Sequence, residues 1–426
     1  MEFLKTASSV LAILFFICYA YQFVYMAVSL VFKPRPHRTA VPHRFAVLVC
    51  ARNEAPVIGA LIQSIRAQTY PPELIDVFVM ADNCTDNTAA VAEAAGATVY
   101  QRIDTVRVGK GYALDELLRR MAKDGHTDFD GYLVFDADNL LAPDYVEQIN
   151  RTFSDGYDIV TSYRNSKNFG DNWISSGYGL CFLRDARLLN RPRARLGVSA
   201  IVTGTGFLFS RRILEKQGGG WRYHSLSEDT EFSVDHILSG ERIGMAYDAV
   251  FYDEQPTTFR QSWCQRIRWT RGSLEVLKKY GKRLFLGALR GSFTCFDTLL
   301  SVFPAIFFTV VGLILNGIIA VADAVTGGGT ASLVSVASTF GMLMLTMLFM
   351  GAVVMLSERR RICIGKRKKL LYVLTFPLYM LTFIPIAIVA LFSRRVTWKP
   401  IVHSASVTSV PANLSHLSQS RGETHV

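Results

Sequence analysis

Four apolar runs limit what this chain can fold into. Residues 10–32, 298–322, 333–356 and 370–392 each approach or exceed the roughly 20 residues that cross a bilayer as a helix. In lipid only a helix or a closed barrel satisfies its own backbone. The first run reaches Lys33 without a small-x-small cleavage signature, so it reads as a retained anchor and not as a removed leader. The last contains Pro377 and Pro385, which leaves a kinked or re-entrant course open beside a full crossing. Residues 1–34 are therefore expected to form a transmembrane anchor, 292–395 the C-terminal transmembrane segments, and the Ser/Thr-rich 396–426 a tail.

Much of the formal net charge of +11 lies beside these runs. Lys33, Arg35, Arg38 and Arg44 follow the first, and ERRRICIGKRKK (358–369) joins the third and fourth. The loop that begins at Asp323 carries no base. Basic loops stay in the cytoplasm, which places residues from about 35 to 291 there. Four full crossings would leave Arg394 and Arg395 outside, against that rule, whereas a re-entrant last run removes the conflict. The seven cysteines form no CxxC pair, and the histidines show no HxxxH or HExxH spacing, which argues against a disulfide frame and a zinc site.

Between the apolar runs the pattern changes to short strands alternating with helices. FAVLVCA (45–51), IDVFVMAD (75–82), ATVYQR (97–102) and GYLVFDAD (131–138) read as strands. Residues 55–67, DNTAAVAEAAG (86–96) and GKGYALDELLRRM (109–121) read as helices. This predicts a mostly parallel α/β sheet over 44–272, with ligands at the C-terminal strand ends. No GxGxxG follows the first strand, and Gly109-Lys110-Gly111 lacks the rest of a Walker A loop. Dinucleotide and P-loop chemistry are therefore set aside.

Several polar clusters punctuate this region. FDADN places Asp136 and Asp138 on one side of an extended chain, where they can share a hard divalent cation with diphosphate oxygens. DNCTDNT, with Asp82 at its head, suits a loop and helix cap as well as a ligand contact. Glu228 and Asp229 in LSEDTEFS precede an amphipathic helix, either as caps that favour its dipole or as chemical groups. Gly204 and Gly206 of TGTGF permit a tight turn or a close approach to substrate. QSWCQRIRWTRG (261–272) interleaves Arg266, Arg268 and Arg271 with Trp263 and Trp269, a pattern open to nucleic acid, membrane or a phosphorylated ligand. RLLNRPRARLG (187–197) reads as a solvated basic loop, with phosphate or lipid contact as the alternative. Residues 273–291 set Leu274, Leu277, Leu284, Phe285 and Ala288 opposite Lys279, Arg283 and Arg290, which predicts an interfacial amphipathic helix; core packing is the plainer alternative.

CARNE (50–54), ADNCTDNT (81–88), GKGYAL (109–114), FDADN (135–139), TGTGF (203–207), SEDTEF (227–232) and QRIRW (265–269) occur in that order. As an ordered set, over nearly the whole chain, they resemble the membrane-embedded family-two glycosyltransferases of GT-A fold, which include the synthases of cellulose, hyaluronan and poly-N-acetylglucosamine. The resemblance implies that Glu54, Asp82 and Lys110 contact the uridine part of a UDP-sugar. It implies that Asp136 and Asp138 engage the diphosphate through Mg2+ or Mn2+, with Arg268 near the leaving group. Asp229 becomes the general base, beside Glu228. Gly204, Thr205, Gly206, Gln265 and Trp269 fall to the acceptor, with the Trp269 ring under its terminal sugar.

The same resemblance implies an inverting, metal-dependent transferase integral to a bacterial plasma membrane, with its catalytic domain in the cytoplasm. The first expectation is polysaccharide extension from UDP-glucose or UDP-N-acetylglucosamine, coupled to export through the membrane helices and accessory export subunits. The second is transfer of a single sugar to a membrane lipid. The third, a non-catalytic nucleotide-sugar-binding protein, is opposed by the acids at 136, 138 and 229. Nucleic acid is set aside on the transmembrane architecture.

Overall fold

The computed structural model describes residues 2–33, 36–303, 305–326 and 331–393. The expected tail at 396–426 and the topological conflict at Arg394 and Arg395 lie outside the described residues. An 8-stranded sheet is built from β1 (Phe45–Ala51), β2 (Ile75–Asp82), β3 (Thr98–Arg102), β4 (Gly131–Asp136), β5 (Leu140–Leu141), β6 (Ile159–Ser166), β7 (Phe207–Ser210) and β8 (Ile243–Asp253). Their order is β3-β2-β1-β4-β7-β6-β8-β5. The first four pair in parallel through the helices Ile58–Arg66, Thr88–Ala94 and Lys110–Lys123.

Beyond β4 the expected mostly parallel sheet becomes mixed. The TGTGF turn lies at the C-terminal end of β4, where the Gly206 amide donates to the Val134 carbonyl (2.9 Å). A strand starting there must run back, so β7 is antiparallel to both β4 and β6. Strands β6 and β8 then pair in parallel, with a bulge between Ser162 and Tyr163.

Both faces of β1 are covered, which is why it reads as an unbroken apolar run. Ala46 and Leu48 pack with Leu114, Leu117 and Leu118 on one side. Val47 and Val49 pack with Leu61, Ile62 and Ile65 on the other. Parallel register then carries Ala51, Asp82 and Asp136 to the same edge of the sheet.

Among the described residues, four helices are long and apolar enough to cross a membrane: Glu2–Val31, Phe307–Val325, Leu333–Ser357 and Lys366–Phe392. The expected span at 298–322 is divided. Phe293–Val302 forms a short helix of its own, and the next helix begins at Ile306. Pro304, which has no amide hydrogen to continue a helix, falls between the two in sequence, and Asp297, 1 % exposed, holds the short piece against the catalytic domain. Its carboxylate accepts Arg193 Nε (2.6 Å) and Nη2 (2.9 Å) together with the Tyr21 (2.8 Å) and Tyr25 (3.2 Å) hydroxyls.

The stretch 187–197 is therefore not a solvated loop. It contributes to a π-helical turn, Asp185–Asn190, and a helix, Arg191–Leu196, with Arg193 buried. The last apolar run is interrupted at Thr382. Its first helix, Lys366–Leu381, lies on the catalytic-domain helix Trp173–Arg184, where a Cβ at Gly177 would overlap the Tyr379 ring. Tyr372 Oη and Lys368 Nζ both donate to the Gly170 carbonyl (2.9 Å each).

QRIRW and the expected interfacial helix are one continuous element, Phe259–Leu289, so the boundary placed at 272/273 falls inside a helix. One face, Val276, Tyr280 and Leu284, packs with Val234, Cys295 and Val302. Phe285, Leu286 and Leu289 remain exposed. Leu284 and Phe285, expected on one face, thus point to different surroundings: consecutive helical residues are about 100° apart.

Removing one partner of a buried ion pair leaves an uncompensated charge, which costs about 3–5 kcal/mol. Arg193→Met should destabilise the detergent-solubilised protein by that order. Arg193→Met combined with Asp297→Asn, which removes the stranded charge, should recover part of the loss in thermal unfolding. A double variant no more stable than the single one would show that the stranded carboxylate is not the cause.

Candidate active site

The C-terminal strand edge opens into a cavity of about 850 Å3. Glu54, Asp82, Lys110, Asp136, Asp138, Gly204, Glu228, Asp229, Gln265, Arg268 and Trp269 all line it, although they come from segments spread over 216 residues of sequence (54 to 269). Thr205 and Gly206, expected at the acceptor, do not. Thr205 is buried beneath the loop that follows β4: its Oγ1 accepts the Asp136 amide (2.9 Å) and donates to Asn139 Oδ1 (2.5 Å). Gly206 sits against the Phe251 ring.

Asp82 is held at the end of β2. Its Oδ1 accepts Arg102 Nη1 (2.5 Å) and Asn83 Nδ2 (3.1 Å), and Asn83 turns the chain with a φ of 53°. The Glu54 amide donates to Thr88 Oγ1 (2.8 Å), which ties the CARNE turn to the start of the next helix but one. Lys110 opens the helix Lys110–Lys123 and is ion-paired to Asp136, while its Nζ also donates to the Gly204 carbonyl (2.9 Å). Burial works against this ammonium, but Asp136 and Glu228 outweigh it and raise its pKa, so it stays charged.

Asp136 and Asp138 share the cavity, but not through an extended chain, because the backbone turns at residues 137–138. The Asp136 side chain is 40 % exposed. Asp138 is buried, accepting the Glu254 amide (3.0 Å) at Oδ2 and Asn139 Nδ2 (3.2 Å) at Oδ1. Two hard oxygen donors at a strand end, one of them open, suit Mg2+ or Mn2+. Among the described residues no cluster of three acidic, His or Cys side chains could hold an ion alone. Phosphate oxygens of a donor would have to complete the coordination.

Glu228 and Asp229 head the helix Glu228–Leu238, as caps would, and also face the cavity. Burial, reinforced by the neighbouring Asp229, pushes Glu228 up to about 7, against Lys110 and Arg268. Burial raises Asp229 as well, against the Thr230 amide and Lys110. Gly204, with φ 82°, leaves space beside this acid: a Cβ there would lie 3.8 Å from both Asp229 Oδ2 and Arg164 Nη1.

In QRIRW, helical spacing sends Gln265, Arg268 and Trp269 to the cavity and Arg266 away from it. Trp269 packs edge-on to Tyr178 (5.6 Å) and Phe182 (6.0 Å). Gln265 Oε1 is buried without a hydrogen-bond partner among the described residues. Arg266 is fully buried over Phe383 (4.6 Å) and Tyr379 (4.7 Å), and its Nη1 donates to Thr382 Oγ1 (2.7 Å). It belongs to the contact with the last apolar run, not to the cavity. Arg271 pairs with Glu275 (3.4 Å) further along the helix.

Sequence reasoning passes over Arg164 and gives Asp253, the head of DEQP (253–256), no chemistry. Arg164 Nε donates to Asp253 Oδ2 (2.6 Å) and Nη1 to the Thr203 carbonyl (3.0 Å), while its guanidinium lies 3.8 Å from the Phe182 ring centroid. Burial pushes Asp253 up to about 6; Arg164 opposes this and Asp138 adds to it. Asp253 ends VFYD much as Asp136 ends LVFD, a signal that was available. Nothing in the sequence singles out Arg164.

The cavity continues past these groups to Phe15, Tyr19, Phe23 and Met26 of the first membrane helix and to Phe303 and Met350 near the others.

The family model described as "Glycosyltransferase like family 2" matches residues 42–272. The beta-monoglucosyldiacylglycerol synthase of Synechocystis sp. is 26 % identical over 250 residues, 57 % of this chain and 50 % of that protein. The probable glycosyltransferase YdaM of Bacillus subtilis is 24 % identical over 268 residues, 57 % of this chain and 58 % of that protein. The chain thus spans only about half the length of the curated relatives it matches. The mannosyltransferase PcManGT from Pyrobaculum calidifontis, solved with GDP-Man and Mn2+, has a TM-score of 0.60 at 18 % identity, covering 92 % of this chain and 100 % of that one. The two share the GT-A fold.

The folded chain holds the Glu228 proton up to about pH 7, whereas an unfolded glutamate releases it near 4.5. Its contribution to stability is therefore complete below the lower value and lost as pH rises through the higher one. Glu228→Gln should gain thermal stability relative to the parent between about pH 5 and about pH 8. A stability difference that does not change with pH would contradict the shift.

Proposed function

We infer that this chain, which belongs to the family-two glycosyltransferases, transfers a single sugar from a UDP-sugar to a hydroxyl of a membrane lipid. The observation that carries this reading is the continuity of the cavity, from Asp229 and Trp269 to Phe15, Phe23 and Met350. A lipid can present its headgroup hydroxyl to the carboxylate while its chains stay among apolar helices. The named activity of the Synechocystis relative supports a glycolipid over the polysaccharide expected first.

In this reading the donor lies across the strand edge, with its nucleoside toward Glu54 and Asp82 and its diphosphate toward Lys110, Asp136, Asp138 and Arg268. Mg2+ or Mn2+ held by the two aspartates and the phosphates would act as a Lewis acid for the leaving UDP. Asp229 accepts the proton of the lipid hydroxyl as its oxygen attacks the anomeric carbon and the bond to UDP breaks. Attack opposite the leaving group inverts the centre. The raised pKa of Asp229 makes it a better proton acceptor than an ordinary aspartate. Lys110 and Arg268 supply fixed positive charge where the diphosphate gains negative charge. Basic Lys33, Arg38 and Arg44 after the first span support a cytoplasmic donor site.

Incubation with radiolabelled UDP-sugars and membrane lipid should give a product one sugar long that extracts into organic solvent. A product that lengthens and stays aqueous would replace this reading with polymer synthesis. Asp229→Asn should lower turnover by about 10²–10⁴-fold, the usual worth of a positioned base, and leave UDP affinity close to normal. Near-normal turnover would remove Asp229 from that role.

A further inference from the structure

A second cavity, of about 450 Å3, shares no lining residue with the first. One wall is the end of the helix Tyr21–Val31 with residues 32–33 and 36–38; another is the helix Arg191–Leu196; a third is the start of β8. Its cations are Lys33, Arg38, Arg191, Arg195 and Arg242, and its acids are Asp155, Asp158, Glu241 and Asp248.

These charges do not cancel one another. Asp155 accepts the Arg38 amide (2.8 Å) and contacts His37 Nδ1 (2.7 Å). Asp158 and Glu241 are both paired to Arg212 (2.7 and 2.5 Å), and Glu241 also to Lys216 (2.9 Å). Asp248 is paired to Arg361 (3.1 Å). Arg212, Lys216 and Arg361 stand outside the lining, so Asp158, Glu241 and Asp248 are neutralised from behind, whereas Asp155 meets its partners within the lining. Arg191, Arg195 and Arg242 have no carboxylate within ion-pair distance among the described residues. Arg195 Nε is buried without a hydrogen-bond partner among those residues. Arg191 is held over the Tyr247 ring (4.7 Å) and donates to the Ser29 (3.3 Å) and Phe32 (3.2 Å) carbonyls. The cavity therefore offers guanidinium groups without an anion, and such forks match phosphate oxygens.

Its place selects the source of the phosphate. Val31 and Phe32, which close the span Glu2–Val31, are exposed apolar residues on the same wall or next to it. The end of a membrane span is where lipid headgroups lie. We propose that this cavity binds the phosphate of an anionic membrane lipid, apart from the donor and acceptor of the transfer reaction. The inference rests on the charge and position of the cavity and stands whether or not the proposed acceptor is right.

The full chain in detergent, titrated with phosphatidylglycerol and separately with phosphatidylcholine, tests this by native mass spectrometry. Phosphatidylglycerol should be retained in preference. Arg195→Gln/Arg242→Gln should weaken it about thirty-fold, from two basic groups at the usual interfacial strength. Arg191 is left intact because it holds backbone at the helix end. Unchanged UDP binding by the double variant establishes that it is folded. Equal retention of the two lipids, or undiminished phosphatidylglycerol binding by the folded double variant, would overturn the site. Inorganic phosphate that binds as tightly as the lipid would overturn the lipid as its source.

Discussion

A charge taken out of water needs polar or aromatic partners, and three buried charges fasten the apolar helices to the catalytic domain. Asp297 joins the short helix Phe293–Val302 to Arg193 and to two tyrosines of the first span. Glu358, at the end of the helix Ala331–Ser357, accepts the Tyr163 (2.6 Å) and Tyr247 (2.8 Å) hydroxyls from β6 and β8. Arg266 lies among the rings of the last apolar run. Apolar packing fixes the register of such helices only through shape. A buried carboxylate with named donors fixes it through hydrogen bonds as well. The cavity that runs from the carboxylates to the membrane helices depends on this fixed register.

Inside that cavity the electrostatics are of a different kind. Lys110 touches Asp136 and the Gly204 carbonyl and offsets Glu228, so one ammonium holds together three segments that the sequence separates widely. Arg164 does the same for Asp253 and the carbonyl before Gly204. Burial raises the pKa values of Glu228, Asp229 and Asp253, and neighbouring acids add to it at Glu228 and Asp253. Such a site is stabilised by binding a cation or losing a proton-accepting duty, and stability is the quantity it gives up for reactivity.

The parts visible in the sequence are those governed by local pattern. Apolar strands that end in aspartate gave away Asp82 and Asp136, because parallel strands finish at one edge whatever surrounds them. The resemblance set Arg268 and Trp269 apart from Arg266, and the helix Phe259–Leu289 supplies the spacing that does so. What stayed hidden depends on distant partners. Arg193 meets Asp297 across 104 positions, and without that partner a solvated basic loop at 187–197 is the plain reading. Thr205 falls to the acceptor with the TGTGF motif by resemblance, yet the asparagine that claims its hydroxyl is 66 positions away. The antiparallel return of β7 follows from where the TGTGF turn sits, which only the folded sheet reveals.

The unbroken helix Phe259–Leu289 has a mechanical consequence. Trp269 and Leu289 are carried on one rod, about 30 Å apart at 1.5 Å per residue. A rod that long does not bend to accommodate both ends independently. Its far end shows Phe285, Leu286 and Leu289 to the surroundings, while its near end forms a wall of the pocket. Tilting the one reorients the other, so the depth at which the apolar tip settles is also a setting for the angle of the indole.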